Sequence, residues 1–142
     1  MYRIAKLRAV FVVALMSLAF AACTATPPHT SDTTSGLQTG VSEMTPKEAL
    51  PYVQAAYSQF IDVRTVEEYA EGHAARTRNI PLDTLAANLD MIEKNEPVFL
   101  ICRSGVRSLA AAKILVDNGF PQAISVSGGT NEWKEEGLPM GE

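Results

Sequence analysis

From Val41 onward the chain alternates short apolar runs with amphipathic stretches, at the spacing of strands and helices. Phe60-Ile61-Asp62-Val63 reads as a short strand. Val98-Phe99-Leu100-Ile101, continuously apolar and bounded by Pro97, reads as a strand buried on both faces. Ile124-Ser125-Val126 is another. Two helix starts carry the Thr-x-x-Glu capping box: Thr45-Pro46-Lys47-Glu48, with Pro at the first helical position, and Thr65-Val66-Glu67-Glu68. Pro51 lies inside the first of these helices and lacks the N–H that would reach the Lys47 carbonyl, so a kink or a split is expected. The second helix should end near Gly72. Further helices are expected over 83–94, from Ser108 to Asn118, and around Trp133 after a turn at Gly128-Gly129. Gly119 should stop the helix before it in a Schellman end, with Phe120 against Leu115. Strands alternating with helices in this way predict an α/β layered domain with a mainly parallel sheet.

The first 41 residues follow a different pattern. Arg3, Lys6 and Arg8 precede an apolar run from Ala9 to Ala22, too short for a permanent membrane span, which needs about 20 residues. A basic start, a short apolar stretch and small residues at its end describe an export signal over 1–22. Two processing patterns fit. Ala19-Phe20-Ala21 is an A-x-A site that would release a soluble periplasmic protein. Phe20-Ala21-Ala22-Cys23 resembles the bacterial lipoprotein lipobox, with Phe20 where Leu is usual, and would leave Cys23 acylated as the mature N-terminus. The second is favoured, because the cysteine falls directly behind Ala-Ala at the end of the run. Residues 24–41, rich in Thr, Ser, Pro and Gly, then form a flexible tether, so residues 23–41 would hold a domain off the membrane. His29, within it, has no partner at metal-ligand spacing.

Charge follows the same division. The whole chain of 142 residues carries −4, but the first 22 residues contain three cations and no acid, leaving 9 basic and 16 acidic side chains, or −7, in the remainder. An acidic body without a basic stripe argues against nucleic-acid binding. A hydrophobic fraction of 46% suits one globular domain over 42–142 rather than a disordered chain. Two cysteines, Cys23 and Cys102, exclude a disulfide scaffold.

The chemistry converges on Cys102. It ends the buried strand 98–101, and Arg103-Ser104-Gly105-Val106-Arg107 leads from it into a helix. In parallel α/β sheets ligands bind beyond the carboxyl ends of the strands, where this thiol lies. A short loop feeding a helix N-terminus turns backbone N–H groups inward and adds the positive end of the helix dipole. Gly105 lets the backbone curl around the sulfur. Arg107, with Arg103, adds full positive charge. All of these favour thiolate over thiol and so a reactive cysteine. A merely structural buried cysteine, the commoner fate of a lone thiol, would leave the glycine and both arginines without a role.

In order along the chain stand Asp62-Val63-Arg64, Glu67-Glu68-Tyr69, Glu71-Gly72-His73, Asn79-Ile80-Pro81-Leu82, CRSGVRS at 102–108, Gly119-Phe120 and SGGTNEWKEEGLP at 127–139. Together, over about residues 42–140, they resemble the rhodanese-like sulfurtransferases. The resemblance implies a five-stranded, mainly parallel sheet flanked by helices. It also implies that Cys102 takes a sulfane sulfur from thiosulfate or a similar small anionic donor as a persulfide. The sulfur then passes to a thiophilic acceptor, cyanide or a thiol. Residues 103–107 would bind substrate or persulfide, and Asp62, Arg64 and Ser108 would support the loop. No cofactor and no metal are implied. With Cys23 lipidated the mature chain has no resolving thiol, so the sulfur must leave to an external acceptor.

Two other classes compete with this reading. One is a non-enzymatic sulfur carrier or redox-sensing module. The other is a phosphatase or arsenate-reductase-like branch of the family, whose loops run one residue longer between Cys and Arg than Cys102 to Arg107. The shorter loop fits a single sulfur rather than a tetrahedral phosphate. Arg64 is placed to pair with Glu68 and fix the wall of the site, and Trp133 to pack the last helix. His73 is a hydrogen-bonding residue rather than a base, since an ionised thiolate needs none. Gly128-Gly129 is a turn, because neither nucleotide motif is present. The chain departs from the family at Ala74-Ala75-Arg76-Thr77-Arg78, where an aliphatic residue and a Pro-Gly turn are usual. A looser loop is expected there, with Arg76 and Arg78 either a basic rim near the site or plain surface.

Overall fold

The computed structural model describes residues 40–141 apart from Tyr57. The expected export signal over 1–22, the expected lipidation site Cys23, and the expected tether as far as residue 39 lie outside the described residues.

Five strands form one sheet: β1 (Ser42–Met44), β2 (Gln59–Asp62), β3 (Arg78–Asn79), β4 (Val98–Ile101) and β5 (Ala123–Val126), in the order β1-β5-β4-β2-β3. Every pairing between them is parallel. β4 is central and fully buried, as its uninterrupted apolar sequence requires. Its side chains alternate between two cores. Val98, Leu100 and Cys102 join Leu85 of α3 (Leu82–Leu85) and Ala111, Ala112 and Leu115 of α4 (Val106–Asp117). Phe99 and Ile101 join Ala49 and Val53 of α1 (Pro46–Val53) and Trp133 of α5 (Gly129–Glu135) on the other face. The thiol of Cys102 therefore belongs to the α4 side of the sheet.

Both capping boxes are present. Glu48 Oε2 accepts from Thr45 N at 2.9 Å, and at the start of α2 (Val66–Ala70) Glu68 Oε2 accepts from Thr65 N at 3.0 Å. The Schellman end is present too: Gly119 N donates to Val116 O and Phe120 N to Leu115 O, both at 3.0 Å, with Gly119 at φ +85°. α1 runs unsplit through Pro51 because it ends at Val53, less than one turn beyond the proline.

The helix expected over 83–94 is not continuous. α3 stops at Leu85, and a 3-10 turn over Leu89–Met91 follows. Asn88 breaks it: its backbone leaves the helical region at φ −121°, and its side chain donates to Thr84 O at 2.8 Å, competing with the helix for that carbonyl.

The 74–78 loop is held more firmly than its composition predicts. Ala74 is buried and bridges Met140, Ala75 N donates to Pro139 O at 3.0 Å, and Thr77 closes a turn through its N and Oγ1 onto Ala74 O. Within that turn Arg76 stands at φ +67°, a left-handed conformation that costs a side-chain-bearing residue about 1–2 kcal/mol. Arg76→Gly should therefore exceed Arg76→Ala in stability by about 1 kcal/mol, the reverse of the usual order of these residues. Both variants lose the guanidinium contact to Gln54 O, so their difference in chemical denaturation reads the backbone alone. Equal midpoints would show no strain at Arg76.

Candidate active site

Cys102 follows the last residue of β4 and is 1% exposed. The chain then curls through Arg103, Ser104 and Gly105 into α4. Gly105 stands at φ +96° and its N–H donates to Cys102 Sγ at 3.2 Å. A Cβ at Gly105 would crowd Gly128 N and Ser127 Cα, so the curl needs glycine for space as well as for conformation. Ser108, fully buried on the first turn of α4, places its Oγ 3.7 Å from Sγ. That hydroxyl also bonds Gly105 O and Ser125 Oγ, each at 2.9 Å. Burial pushes the thiol up. Hydrogen bonds from the Ser108 and Ser104 backbone, the Ser108 hydroxyl and the Gly105 backbone outweigh it, and the pKa of Cys102 lies below its ordinary value.

The carbonyls of the same loop are turned the other way. Thr130 N donates to Cys102 O at 2.7 Å, and Asn131 N to Arg103 O at 3.1 Å. The first turn of α5 thus holds the loop's acceptors away from the sulfur, leaving its donors to face inward. Gly129 makes that approach feasible, since a Cβ there would overlap the Cys102 carbonyl oxygen. The Gly128-Gly129 turn has a role in the site that its reading as a plain turn missed. The signal was a second glycine just before a helix and just after a buried strand.

Arg107 and Arg103 differ sharply. Arg107 donates to both oxygens of Glu68, Nη1 to Oε2 at 2.6 Å and Nη2 to Oε1 at 2.7 Å. This pair, led by the Arg107 hydrogen bond, pulls the Glu68 carboxyl down to about 2. The charge of Arg107 is therefore largely matched by Glu68, and the backbone and Ser108 carry the stabilisation of the thiolate. Arg103 is exposed and forms no ion pair among the described residues. Ser104 and Val106 are exposed as well, Val106 at 74%, so they offer the site their backbone rather than their side chains.

The pairing expected between Arg64 and Glu68 is not made. Asp62, fully buried at the end of β2, takes Arg64 instead: Nε donates to Oδ1 and Oδ2 at 3.0 and 2.9 Å, and Nη2 to Oδ2 at 2.7 Å. Arg64 Nη2 also donates to Gly72 O at 2.9 Å, fastening the end of α2. Asp62 is nearer in sequence and dry, whereas Glu68 lies opposite α4 and meets Arg107. His73 stacks on Tyr69, ring centroids 3.8 Å apart, with Nδ1 3.2 Å from Tyr69 O. Arg76 and Arg78 are no rim to the site. Their guanidinium groups bond Gln54 O and Gln59 Oε1, near the start of β2, and in a parallel sheet that is the end opposite Cys102.

Removing the Ser108 hydroxyl isolates its share of the cradle. In Ser108→Ala the pH profile of Cys102 alkylation should move upward from the parent's, toward that of an unperturbed thiol, because the thiolate alone reacts and has lost a donor. An unmoved profile would assign the whole effect to the backbone.

The family model of the Rhodanese-like domain matches residues 45–136. Thiosulfate sulfurtransferase GlpE of Actinobacillus pleuropneumoniae is 31% identical over 99 residues, 70% of this chain and 92% of that one. Among solved structures, a rhodanese-like domain protein from Staphylococcus aureus is 35% identical, with a TM-score of 0.62 over 71% of this chain and 99% of its own. A rhodanese-related protein from Thermoplasma volcanium is 28% identical, with a TM-score of 0.64 over 70% and 97%.

Proposed function

Because the chain belongs to the rhodanese-like domain family, whose members include sulfurtransferases, we propose that it is a thiosulfate sulfurtransferase working through a persulfide on Cys102. The observation that carries this reading is the inward-facing donor set on a thiol of lowered pKa. The thiolate attacks the outer sulfur of thiosulfate. A Cys102–S bond forms, the S–S bond of thiosulfate breaks, and sulfite leaves with the electron pair. Cyanide or a thiolate then attacks the outer sulfur of the persulfide, and the Cys102 thiolate departs. The negative charge alternates between Sγ and the sulfur beyond it. Donors fixed beforehand around that position stabilise both states without reorganising. Arg103, exposed beside the thiol, meets incoming anions. Asp62 and Arg64 set the wall without touching the reacting atoms.

The proposed place of action is the periplasmic side of a bacterial envelope, held by lipid on Cys23 or, with cleavage at Ala21, free in the periplasm. It is supported by the pattern of residues 1–23 alone.

One experiment addresses both. The intact mass of protein from the native host, before and after thiosulfate, should show acyl chains and then a gain of one sulfur lost again to cyanide. Continued thiocyanate release marks an enzyme. A single loading without turnover would make the chain a carrier, and no mass gain would overturn the sulfur chemistry.

A further inference from the structure

A pocket of about 190 Å³ opens beside the loop, lined by Arg64, Glu68 and Glu71 on one side and Arg103, Thr130, Asn131 and Lys134 on the other. It adjoins the cradle through chain already described: Arg103 follows the thiol, Thr130 and Asn131 hold the loop carbonyls, and Glu68 holds Arg107. Several of its polar groups have no partner among the described residues. Arg64 is 5% exposed, with Nε and Nη2 engaged by Asp62 and Gly72, while its Nη1 bonds nothing among the described residues. Thr130 is 2% exposed, and its hydroxyl has no bond among them either. Arg103, Lys134 and Glu71 form no ion pair there. The pocket thus offers free charge of both signs. An inorganic dianion uses only the cations and is repelled by Glu71, whereas a zwitterion uses both. The volume is that of about six water molecules, room for something near the size of one amino acid.

We infer that this pocket is the acceptor subsite and that the acceptor it fits is a small zwitterionic thiol, with its carboxylate toward Lys134 and Arg103 and its ammonium toward Glu71. The inference rests on the persulfide reading above. Arg64 Nη1 and the Thr130 hydroxyl supply fixed donors to the same carboxylate. The acceptor's sulfur, ionised by loss of its proton to solvent, attacks the outer sulfur of the Cys102 persulfide. A new S–S bond forms, the Sγ–S bond breaks, the electron pair returns to Sγ as thiolate, and the acceptor leaves as a persulfide. Donor and acceptor visit the same sulfur in turn, so Arg103 serves both, while Lys134 and Glu71 distinguish the acceptor.

The test is single-turnover transfer from protein loaded with thiosulfate and freed of excess donor, to cysteine, cysteamine and 3-mercaptopropionate. Each variant is compared with the parent for the same thiol, which removes differences in intrinsic reactivity. Lys134→Met should slow transfer to cysteine and 3-mercaptopropionate about threefold to fivefold and spare cysteamine, which has no carboxylate. Glu71→Gln should slow cysteine and cysteamine by a similar factor and spare 3-mercaptopropionate. Both effects should shrink at high salt. Variants that treat the three thiols alike, or do not differ from the parent, overturn the subsite. So does a Lys134→Met protein that loads slowly yet transfers normally, which would make the pocket a donor site. A parent protein that takes up no sulfur overturns the proposed function itself, and the subsite with it.

Discussion

Replacing Cys102 by serine should reduce sulfur transfer to the uncatalysed background while leaving the domain folded. The cradle stabilises an anion that a thiol can supply near neutral pH; a hydroxyl is far harder to ionise, and the same donors cannot make it a useful nucleophile. Without a bond from residue 102 to the transferred sulfur there is no intermediate, so raising the donor concentration does not restore the rate. Folding should be nearly untouched. Serine is slightly smaller, and its oxygen can accept the Gly105 N–H that now points at Sγ, which places the stability change at about 1 kcal/mol or less. Thiocyanate release and a denaturation midpoint, measured on the same preparation, check both halves. Retained transfer in a folded Cys102→Ser protein would end the covalent mechanism.

The largest stability effect should follow from Asp62→Ala. Asp62 is fully buried and Arg64 is 5% exposed, and the carboxylate takes the Arg64 backbone N–H as well as Nε and Nη2. Its removal takes the bidentate partner from a mostly buried guanidinium, which costs about 3–5 kcal/mol. Against a total stability of about 5–15 kcal/mol for a domain of this kind, the variant should be marginal. Urea titration would show the midpoint falling at unchanged slope. A double variant, Asp62→Leu with Arg64→Met, should recover much of the loss, because removing both charges leaves neither unpaired. A loss under 1 kcal/mol in Asp62→Ala would mean that water reaches the arginine.

What was legible in the sequence was local. Thr45 and Glu48, Thr65 and Glu68, and Gly119 with Phe120 act over a few residues, so their spacing alone specifies their geometry. The buried strand 98–101 declared itself by having no polar position, and with it came the place of Cys102 and the curl of its loop. Contacts across the fold were not legible. Glu68 was visible as a capping residue, but its second partner, Arg107, is 39 positions away, and Arg64 was a nearer candidate by sequence. Arg76 and Arg78 follow His73 closely, yet the turn at Ala74 carries them to the far end of the sheet. The split of the 83–94 helix hung on one asparagine side chain choosing a backbone carbonyl. Hydrophobic period does not report that choice.

The pairing of β1 with β5 has a consequence for how the protein is made. Ser42 lies opposite Ile124, so the earliest strand of the sheet has no neighbour until the latest one exists. The central strand β4 likewise waits for β5 on one side. Local turns and helices can form and dissolve while the chain is short, but the sheet closes only through contacts between distant residues, which makes assembly a late and comparatively slow event. The domain locks only after β5 has been synthesised. Until then Cys102 lacks the Thr130 and Asn131 contacts that turn its loop's carbonyls away, so the reactive sulfur acquires its surroundings only as the last strand and helix dock.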